Sequence, residues 1–379
     1  MGRSMLCRRD YLVGSIGAGI VALGGTGAAA AEDLVLAALK QAVGPRDKLA
    51  GMVAVIIDEN GSRTSSYGNS GSPDVAMDGD AVFEMMSNTK VLTSLLLADM
   101  AARGEVAFDD PVAKHLPPSV TLHERGGPIT LLDLATYTSG LPNMPANLPL
   151  GWYASAAPIA GYTEDKLFAF LSGYLPEHPP GSHYEYANLG FGLLGIALAR
   201  RTGKSYENLL VERVCNPLGL AHTRITLTDD MRRHVAQGHD LRMKPTQLWD
   251  WPAMPGAGCV RSTAKDLTVF LQACMGLTRT PLSASLARLV ETQRPTTLPG
   301  TRAGLGWFVT SDEGDQIVWK SGLSMGCNTF IGFSARKRRG VVLLSNFLWQ
   351  PIDAGTIAMG VKLISPDFRP VDFNALYPH

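Results

Sequence analysis

Strand patterns stand at both ends of this chain and helical patterns fill its middle, and that distribution restricts its fold more than any other feature. Residues 52–57 (MVAVII) form a continuous apolar run, read as a buried strand. Asp58-Glu59-Asn60-Gly61 is a turn and residues 62–67 are a returning strand; Asn-Gly between such runs is the strongest short hairpin signal. Strand patterns return only near the end, at 304–310, 316–320, 328–333 and 340–346. Helices are expected at 33–43, 87–103, 130–137, 164–172, 188–202, 205–214, 264–275 and 353–364. The simplest architecture is an α/β fold: an antiparallel sheet formed from both chain ends, flanked by helices, with an inserted mainly helical region. The expected division is 32–84 with 291–379 for the sheet region and 85–290 for the helical region, with a functional site at their junction.

The first 31 residues are read apart from the fold. Arg3, Arg8 and Arg9 form a basic segment, residues 11–25 a short glycine-rich apolar one, and Ala28 to Ala31 a small-residue cleavage region. This is the pattern of a secretory signal, too short and too glycine-rich for a transmembrane helix. Arg8-Arg9-Asp10-Tyr11-Leu12 also fits a twin-arginine signal, and either export route is open, as is a start at Met1 or Met5. Cleavage is expected near Ala31, leaving a periplasmic protein with no stable membrane span. With 34 basic and 34 acidic residues the net charge is formally zero, which argues against an electrostatic nucleic-acid binder. The basic run Arg336-Lys337-Arg338-Arg339 reads as a solvated hairpin turn. Cys215, Cys259, Cys274 and Cys327 are far apart among apolar neighbours and read as buried free thiols.

Ser87-Asn88-Thr89-Lys90 places a serine hydroxyl and a lysine amine three residues apart on a helix face. The residues that follow, Val91, Leu92, Leu95, Leu96, Leu97 and Met100, are apolar nearly all round the helix, the mark of a buried helix. Burial disfavours the ammonium form, and a neutral lysine beside a serine is a nucleophile with its base. Two other S-x-x-K matches occur, Ser262 to Lys265 and Ser334 to Lys337, so the tetrapeptide alone does not decide. Tyr186-Ala187-Asn188 and Lys320-Ser321-Gly322, the one K-[ST]-G of the chain, do. A tyrosine beside an ammonium can act as acid or base, an asparagine can bind a substrate amide, and a strand-edge lysine supplies positive charge to a carboxylate or oxyanion. The glycine is expected to let substrate backbone approach. Only Ser87 has both motifs behind it in order.

S-x-x-K, Y-x-N and K-[ST]-G in this order resemble the serine β-lactamase and penicillin-binding protein superfamily, in its class C branch. The likeness extends through Ile129 to Pro142, through Gly258 to Leu267 and through Leu305-Gly306-Trp307, covering about residues 33 to 365. Within the superfamily the chain looks most similar to the D-alanyl-D-alanine carboxypeptidase/endopeptidase branch. The resemblance implies an acyl-enzyme on Ser87, Lys90 as its immediate base and Tyr186 as proton shuttle to the leaving group. It further implies Asn188 as a substrate-amide ligand, Lys320 in the charge network, Ser321 and Gly322 beside the substrate, and an oxyanion hole from the N–H groups of Ser87 and Leu323. The substrate is then a D-Ala-D-Ala stem peptide, a β-lactam or an ester, with no cofactor and no metal. Two departures stand out: Tyr137 where many relatives have histidine, and a bulkier Leu323-Ser324-Met325-Gly326-Cys327 after the third motif.

Rival motifs are weaker. Gly322-Leu323-Ser324-Met325-Gly326 is a formal nucleophile elbow, but a strand pattern follows it and the only later histidine is His379. Gly190 to Gly195 matches G-x-G-x-x-G inside a helix pattern, without the strand-to-helix context that dinucleotide binding needs. His234 and His239 near Asp240 have no metal-site spacing and read as loop histidines. A non-catalytic penicillin-recognising sensor is the reading from another class; it would tend to lose the lysine or tyrosine that this chain keeps.

Overall fold

The computed structural model describes residues 28–149, 151, 157–349 and 354–369. The expected export signal up to residue 27, with Cys7, lies outside the described residues, as does residue 353 of the expected last helix.

An eight-stranded antiparallel sheet forms the frame, and strands from the two chain ends do meet in it. Its strands are β1 (Gly51–Asp58), β2 (Gly61–Gly68), β5 (Arg294–Pro295), β6 (Thr301–Ala303), β7 (Phe308–Asp312), β8 (Asp315–Leu323), β9 (Asn328–Ser334) and β10 (Arg339–Ser345), in the order β2-β1-β10-β9-β8-β7-β6-β5. The joint is β1 with β10, where Met52 faces Ser345 and Ile57 faces Gly340. Asp58 pairs with Gly61, so the first hairpin turns on Glu59-Asn60. A small second sheet joins β3 (Val82–Glu84) to β4 (Arg261–Thr263).

Six helices matter for the site: α1 (Ala28–Val43), α2 (Thr89–Ala102), α3 (Asn188–Thr202), α4 (Ala264–Cys274), α5 (Ser283–Glu291) and α6 (Ala354–Ile364). α1 packs on β1 and β2, α6 on β9 and β10, and α4 on β1, β9 and β10. Every residue of β9 is buried and all but one of β1 and of β10, because helices cover both faces there. Edge strand β2 instead mixes half-buried and exposed residues. α2 is buried along nearly its whole length, from Thr89 to Met100, so the apolar surround expected of it is present.

The expected strand at 304–310 begins only at Phe308, as β7. The chain turns at Gly304 to Trp307, with Gly306 at φ +74°, and β6 and β7 pair across that turn. A Cβ on Gly306 would stand 2.7 Å from the Lys90 carbonyl oxygen, so this turn rests directly on α2. The expected helix at 205–214 continues through a wider π-helical turn, Val211–Cys215, to Leu218. The strands β3, β4, β5 and β6 and the helix α5 were not anticipated; the four strands are two or three residues long, too short for a periodic signal.

The basic run caps the β9–β10 hairpin, where Arg338 pairs with Glu59 and Lys337 stands 3.8 Å from Asp315. The four described cysteines are free, three of them buried, and burial pushes the Cys215 and Cys259 thiols up to about 12. Among the described residues no helix is long and apolar enough to cross a membrane.

Candidate active site

Ser87 does not sit in the α-helix expected from 87 onward. It occupies a 3-10 turn, Met86–Asn88, that runs into α2. In such a turn residues i and i+3 nearly eclipse, which brings Lys90 over Ser87. The turn is held under strain: Met86 has φ +44°, a left-handed value that costs a non-glycine residue about 1–3 kcal/mol. The Met85 N–H donates to Val260 O at 2.8 Å and the Asn88 side chain donates to Thr329 Oγ1 at 2.8 Å, tying the turn to the residue that precedes β4 and to β9.

The Lys90 ammonium is fully buried and has three oxygens around it: Ser87 Oγ at 2.9 Å, Asn188 Oδ1 at 2.7 Å and Ala257 O at 2.7 Å. Two of these are carbonyl oxygens, which can only accept. A neutral amine has two N–H groups and one lone pair. As an ammonium Lys90 donates to all three oxygens; once neutral, it keeps its two N–H groups on the carbonyls and turns its lone pair to the Ser87 hydroxyl. Burial, and then the Lys320 charge, hold the Lys90 pKa well below the ordinary lysine value, so the neutral form is accessible.

Ala257 and the helix α3 reach Lys90 because glycine lets them. A Cβ on Gly256 would lie 2.7 Å from Phe191 O and 3.1 Å from the Gly195 Cα, and one on Gly192 would strike Met254 at 2.6 Å. The G-x-G-x-x-G of residues 190–195 is thus a packing surface that seats Pro255–Gly258 against α3.

Tyr186 donates from its hydroxyl to Ser87 Oγ at 2.7 Å, and Lys320 donates to the Tyr186 oxygen at 3.3 Å. The four groups form one continuous run of contacts, Lys320, Tyr186, Ser87 and Lys90, in which Ser87 Oγ receives both Tyr186 and Lys90. The Lys320 ammonium lies over the rings of Tyr186 at 4.6 Å, Phe308 at 4.6 Å and Tyr137 at 5.7 Å. Tyr137 stacks on Tyr186 with centroids 5.0 Å apart and donates to Gly306 O at 3.2 Å. Burial, then the neighbouring Tyr186 and Tyr184, push the Tyr137 hydroxyl well above its ordinary range, so it stays a neutral donor. The residue at the departure from the histidine pattern is therefore a wall behind Tyr186. The segment bearing Tyr186 is clipped to the one bearing Tyr137 by Gly181 N–H to Thr138 O (2.7 Å) and Glu185 N–H to Tyr137 O (2.8 Å).

Asn188 opens α3, and its side-chain N–H donates to Asn143 Oδ1 at 2.8 Å. That contact turns the amide so that Oδ1 faces Lys90. Asn143, Ala257 and Phe308 were not singled out in the sequence. Asn143 follows directly on the Thr138 to Pro142 segment, which is the one signal that pointed near it; a backbone carbonyl such as that of Ala257 has no signature.

Lys320, Ser321, Gly322 and Leu323 end β8; the first three are buried and Leu323 is half-buried. Gly322 has a reason beside the one expected. A Cβ there would stand 2.2 Å from Met85 O and 2.5 Å from Thr329 Oγ1, so glycine lets β8 lie against the Ser87 turn. Gly322→Ala is expected to cost about 1–3 kcal/mol of stability. It should also slow acylation of Ser87 by pushing β8 off the turn; thermal unfolding and acylation rates on the same variant check both.

The other two S-x-x-K pairs are structural. Ser262 is buried against Thr223 Oγ1 at 2.8 Å, while Lys265 pairs with Asp80 on the surface. Ser334 donates to Asp315 Oδ1 at 2.7 Å. His234 and His239 lie on separate backbone carbonyls, those of Asp230 and Asn346, and the described residues hold no cluster fit for a metal ion.

The chain matches the Beta-lactamase family over residues 38–352. It is 31% identical over 310 residues to the D-alanyl-D-alanine-carboxypeptidase/endopeptidase AmpH of Escherichia coli K12, covering 78% of each chain. A β-lactamase/D-alanine carboxypeptidase structure from Yersinia pestis superposes with a TM-score of 0.75 at 24% identity, covering 90% of this chain and 99% of that one. A class C β-lactamase structure does so at 0.76 and 20% identity, covering 91% and 99%. At those identities the superpositions speak for the fold, and the family match and the relative speak for descent. With a serine, a buried lysine and a tyrosine in contact at the centre of that shared fold, the chain belongs to the β-lactamase family and is a serine hydrolase of that family.

Proposed function

We propose that this chain is an exported D-alanyl-D-alanine peptidase that cleaves peptidoglycan stem peptides through an acyl-enzyme on Ser87. The observation that carries the reading is the pair of contacts on Ser87 Oγ, one from the Tyr186 hydroxyl and one from the buried Lys90 amine. Ser87 Oγ attacks the scissile carbonyl carbon and its proton passes to the Lys90 lone pair. The oxyanion forms toward the N–H groups of Ser87 and Leu323. Tyr186, with Lys320 behind it, delivers a proton to the departing amine, and the C–N bond breaks. Water then attacks the ester by the same relay run backwards. The remaining N–H of the Asn188 amide faces the acyl side chain, and Lys320 offers its charge to the terminal carboxylate. Likeness to the D-alanyl-D-alanine-carboxypeptidase/endopeptidase AmpH supports the peptide substrate, and the signal pattern of residues 1–31 supports export to the periplasm. Ser87, Lys90 and Tyr186 come from the 85–290 region and Lys320 to Leu323 from the 291–379 region, which supports a site at the junction of the two.

A β-lactam would form the same acyl-enzyme, so substrates separate the readings. The mature protein is given a stem pentapeptide ending in D-Ala-D-Ala, a penicillin and a chromogenic ester in parallel. Release of D-alanine with a long-lived penicillin adduct is the expected result. Rapid penicillin turnover without D-alanine release makes the chain a β-lactamase, and ester cleavage alone makes it an esterase; either overturns the peptidase reading.

A further inference from the structure

A buried tyrosine stands behind Lys90 without taking part in the relay. Tyr206 opens the short helix Tyr206–Leu210, which Ser205 caps by accepting the Asn208 N–H at 3.2 Å. Its ring is buried against α3, close enough that a Cβ on Gly195 would stand 3.2 Å from Tyr206 Cδ2. Burial pushes its hydroxyl above the ordinary tyrosine range, so it stays neutral, with one proton to give.

The direction of that proton follows from a count of donors. Thr93 lies one turn after Lys90 on α2 and is fully buried. Its Oγ1 is 2.7 Å from the Tyr206 hydroxyl, 2.8 Å from Gly256 O and 3.2 Å from Thr89 O. The two carbonyls can only accept, and the single Thr93 proton goes to the nearer one, Gly256 O. The Tyr206 hydroxyl therefore donates to Thr93 Oγ1; the opposite assignment would leave its proton with no acceptor among the described residues. The donors run in line from Tyr206 to Thr93 to Gly256 O. The next carbonyl along the chain, Ala257 O, is the one that receives Lys90 at 2.7 Å. Three residues on, the Val260 N–H donates to Thr89 Oγ1 at 3.2 Å. Thr89, Lys90 and Thr93 thus fasten residues 256–260 to α2.

We propose that Tyr206 and Thr93 are positioning residues for the base: they fix the Gly256-Ala257 peptide so that Ala257 O holds one Lys90 N–H and the amine presents its lone pair to Ser87. The proposal rests on the acyl-enzyme reading of Ser87. A reacting group misplaced by about 1 Å slows its step by about 10²-fold. A carbonyl also binds an ammonium more strongly than an amine, so moving Ala257 O away disfavours protonation of Lys90.

Thr93→Val keeps the branched shape and removes the hydroxyl, Thr93→Ser keeps the hydroxyl, and Tyr206→Phe keeps the ring and removes its proton. The other titratable groups facing Lys90, namely Lys320, Tyr186 and Cys259, are the same in every variant. Acylation by a penicillin is followed per folded protein across a pH series, as a rate at saturation and a half-saturating concentration. Thr93→Val is expected to lose about tenfold to a hundredfold in the saturating rate, with the half-saturating concentration little changed. Its acid limb is expected to move to lower pH by roughly half a unit or more. Thr93→Ser should restore most of both. Tyr206→Phe should change both in the same direction by less, and add nothing in the Thr93→Val background, because it acts through Thr93. An unaltered rate and acid limb in Thr93→Val, no recovery in Thr93→Ser, or a Tyr206→Phe loss that multiplies in the double variant would make these contacts structural only and overturn the proposal. Should Thr93→Val not fold, Tyr206→Phe decides by the same two readouts. If the unaltered protein forms no acyl-enzyme at all, the hydrolase reading of Ser87 falls first and takes this proposal with it.

Discussion

Lys90→Met is expected to slow acylation of Ser87 by about 10³-fold or more, because it removes the one group placed to take the serine proton. Methionine has nearly the same length and fills the same buried volume, so the helix α2 and its neighbours keep their places. What is lost is the lone pair facing Ser87 Oγ, which Tyr186 cannot replace because its hydroxyl is a donor to that same oxygen. Two pH signatures accompany the loss. In the unaltered enzyme acylation falls toward acid as Lys90 takes up a proton, and since burial and Lys320 hold its pKa well below the ordinary lysine value, activity persists far below that value. Stability carries the second signature. The unfolded chain keeps the Lys90 proton up to about pH 10.4, whereas the folded chain gives it up earlier. Between those two points the unfolded state binds more protons, so stability rises with pH. The rise is expected in the unaltered protein and missing from Lys90→Met, as a difference in melting temperature followed against pH.

Tyr186→Phe is the second large effect. The ring remains stacked on Tyr137, at 5.0 Å, and under the Lys320 ammonium, so melting temperature should move little. Without the hydroxyl, the chain of donors from Lys320 to Ser87 is cut at its middle, and proton delivery to the leaving amine loses its group. Turnover of an amide substrate is expected to fall by roughly 10²- to 10⁴-fold. An activated ester, whose leaving group needs no proton, should lose less. Rates measured on both substrates with the same variant check this; equal losses on the two would place Tyr186 at Ser87 activation rather than at the leaving group.

Much of this was readable in the sequence, for physical reasons that differ by element. The runs at 52–57 and 340–346 are apolar without alternation because both faces of those strands are covered, and a run of that kind survives as a signal. The strand expected at 304–310 starts late, at Phe308, because Gly306 takes a positive φ to rest on α2, and tertiary contact of that sort leaves no periodic trace. Ser87, Lys90, Tyr186 and Lys320 were legible because their chemistry resides in side chains and their order along the chain is restrictive. The Ala257 carbonyl and the Asn143 amide were not, since each acts by orienting a group already recognised. Gly322 was legible as a residue, but not the packing reason for it: its missing Cβ makes room for Met85 O.

The central claim is that Ser87 and no other serine carries the acyl group. The mature protein is mixed with a penicillin, its intact mass is followed, and the adduct is mapped by proteolysis. One penicilloyl group per chain on the peptide containing Ser87, absent from Ser87→Ala, is the predicted result. An adduct on Ser262, Ser324 or Ser334, or one that persists in Ser87→Ala, would contradict the account.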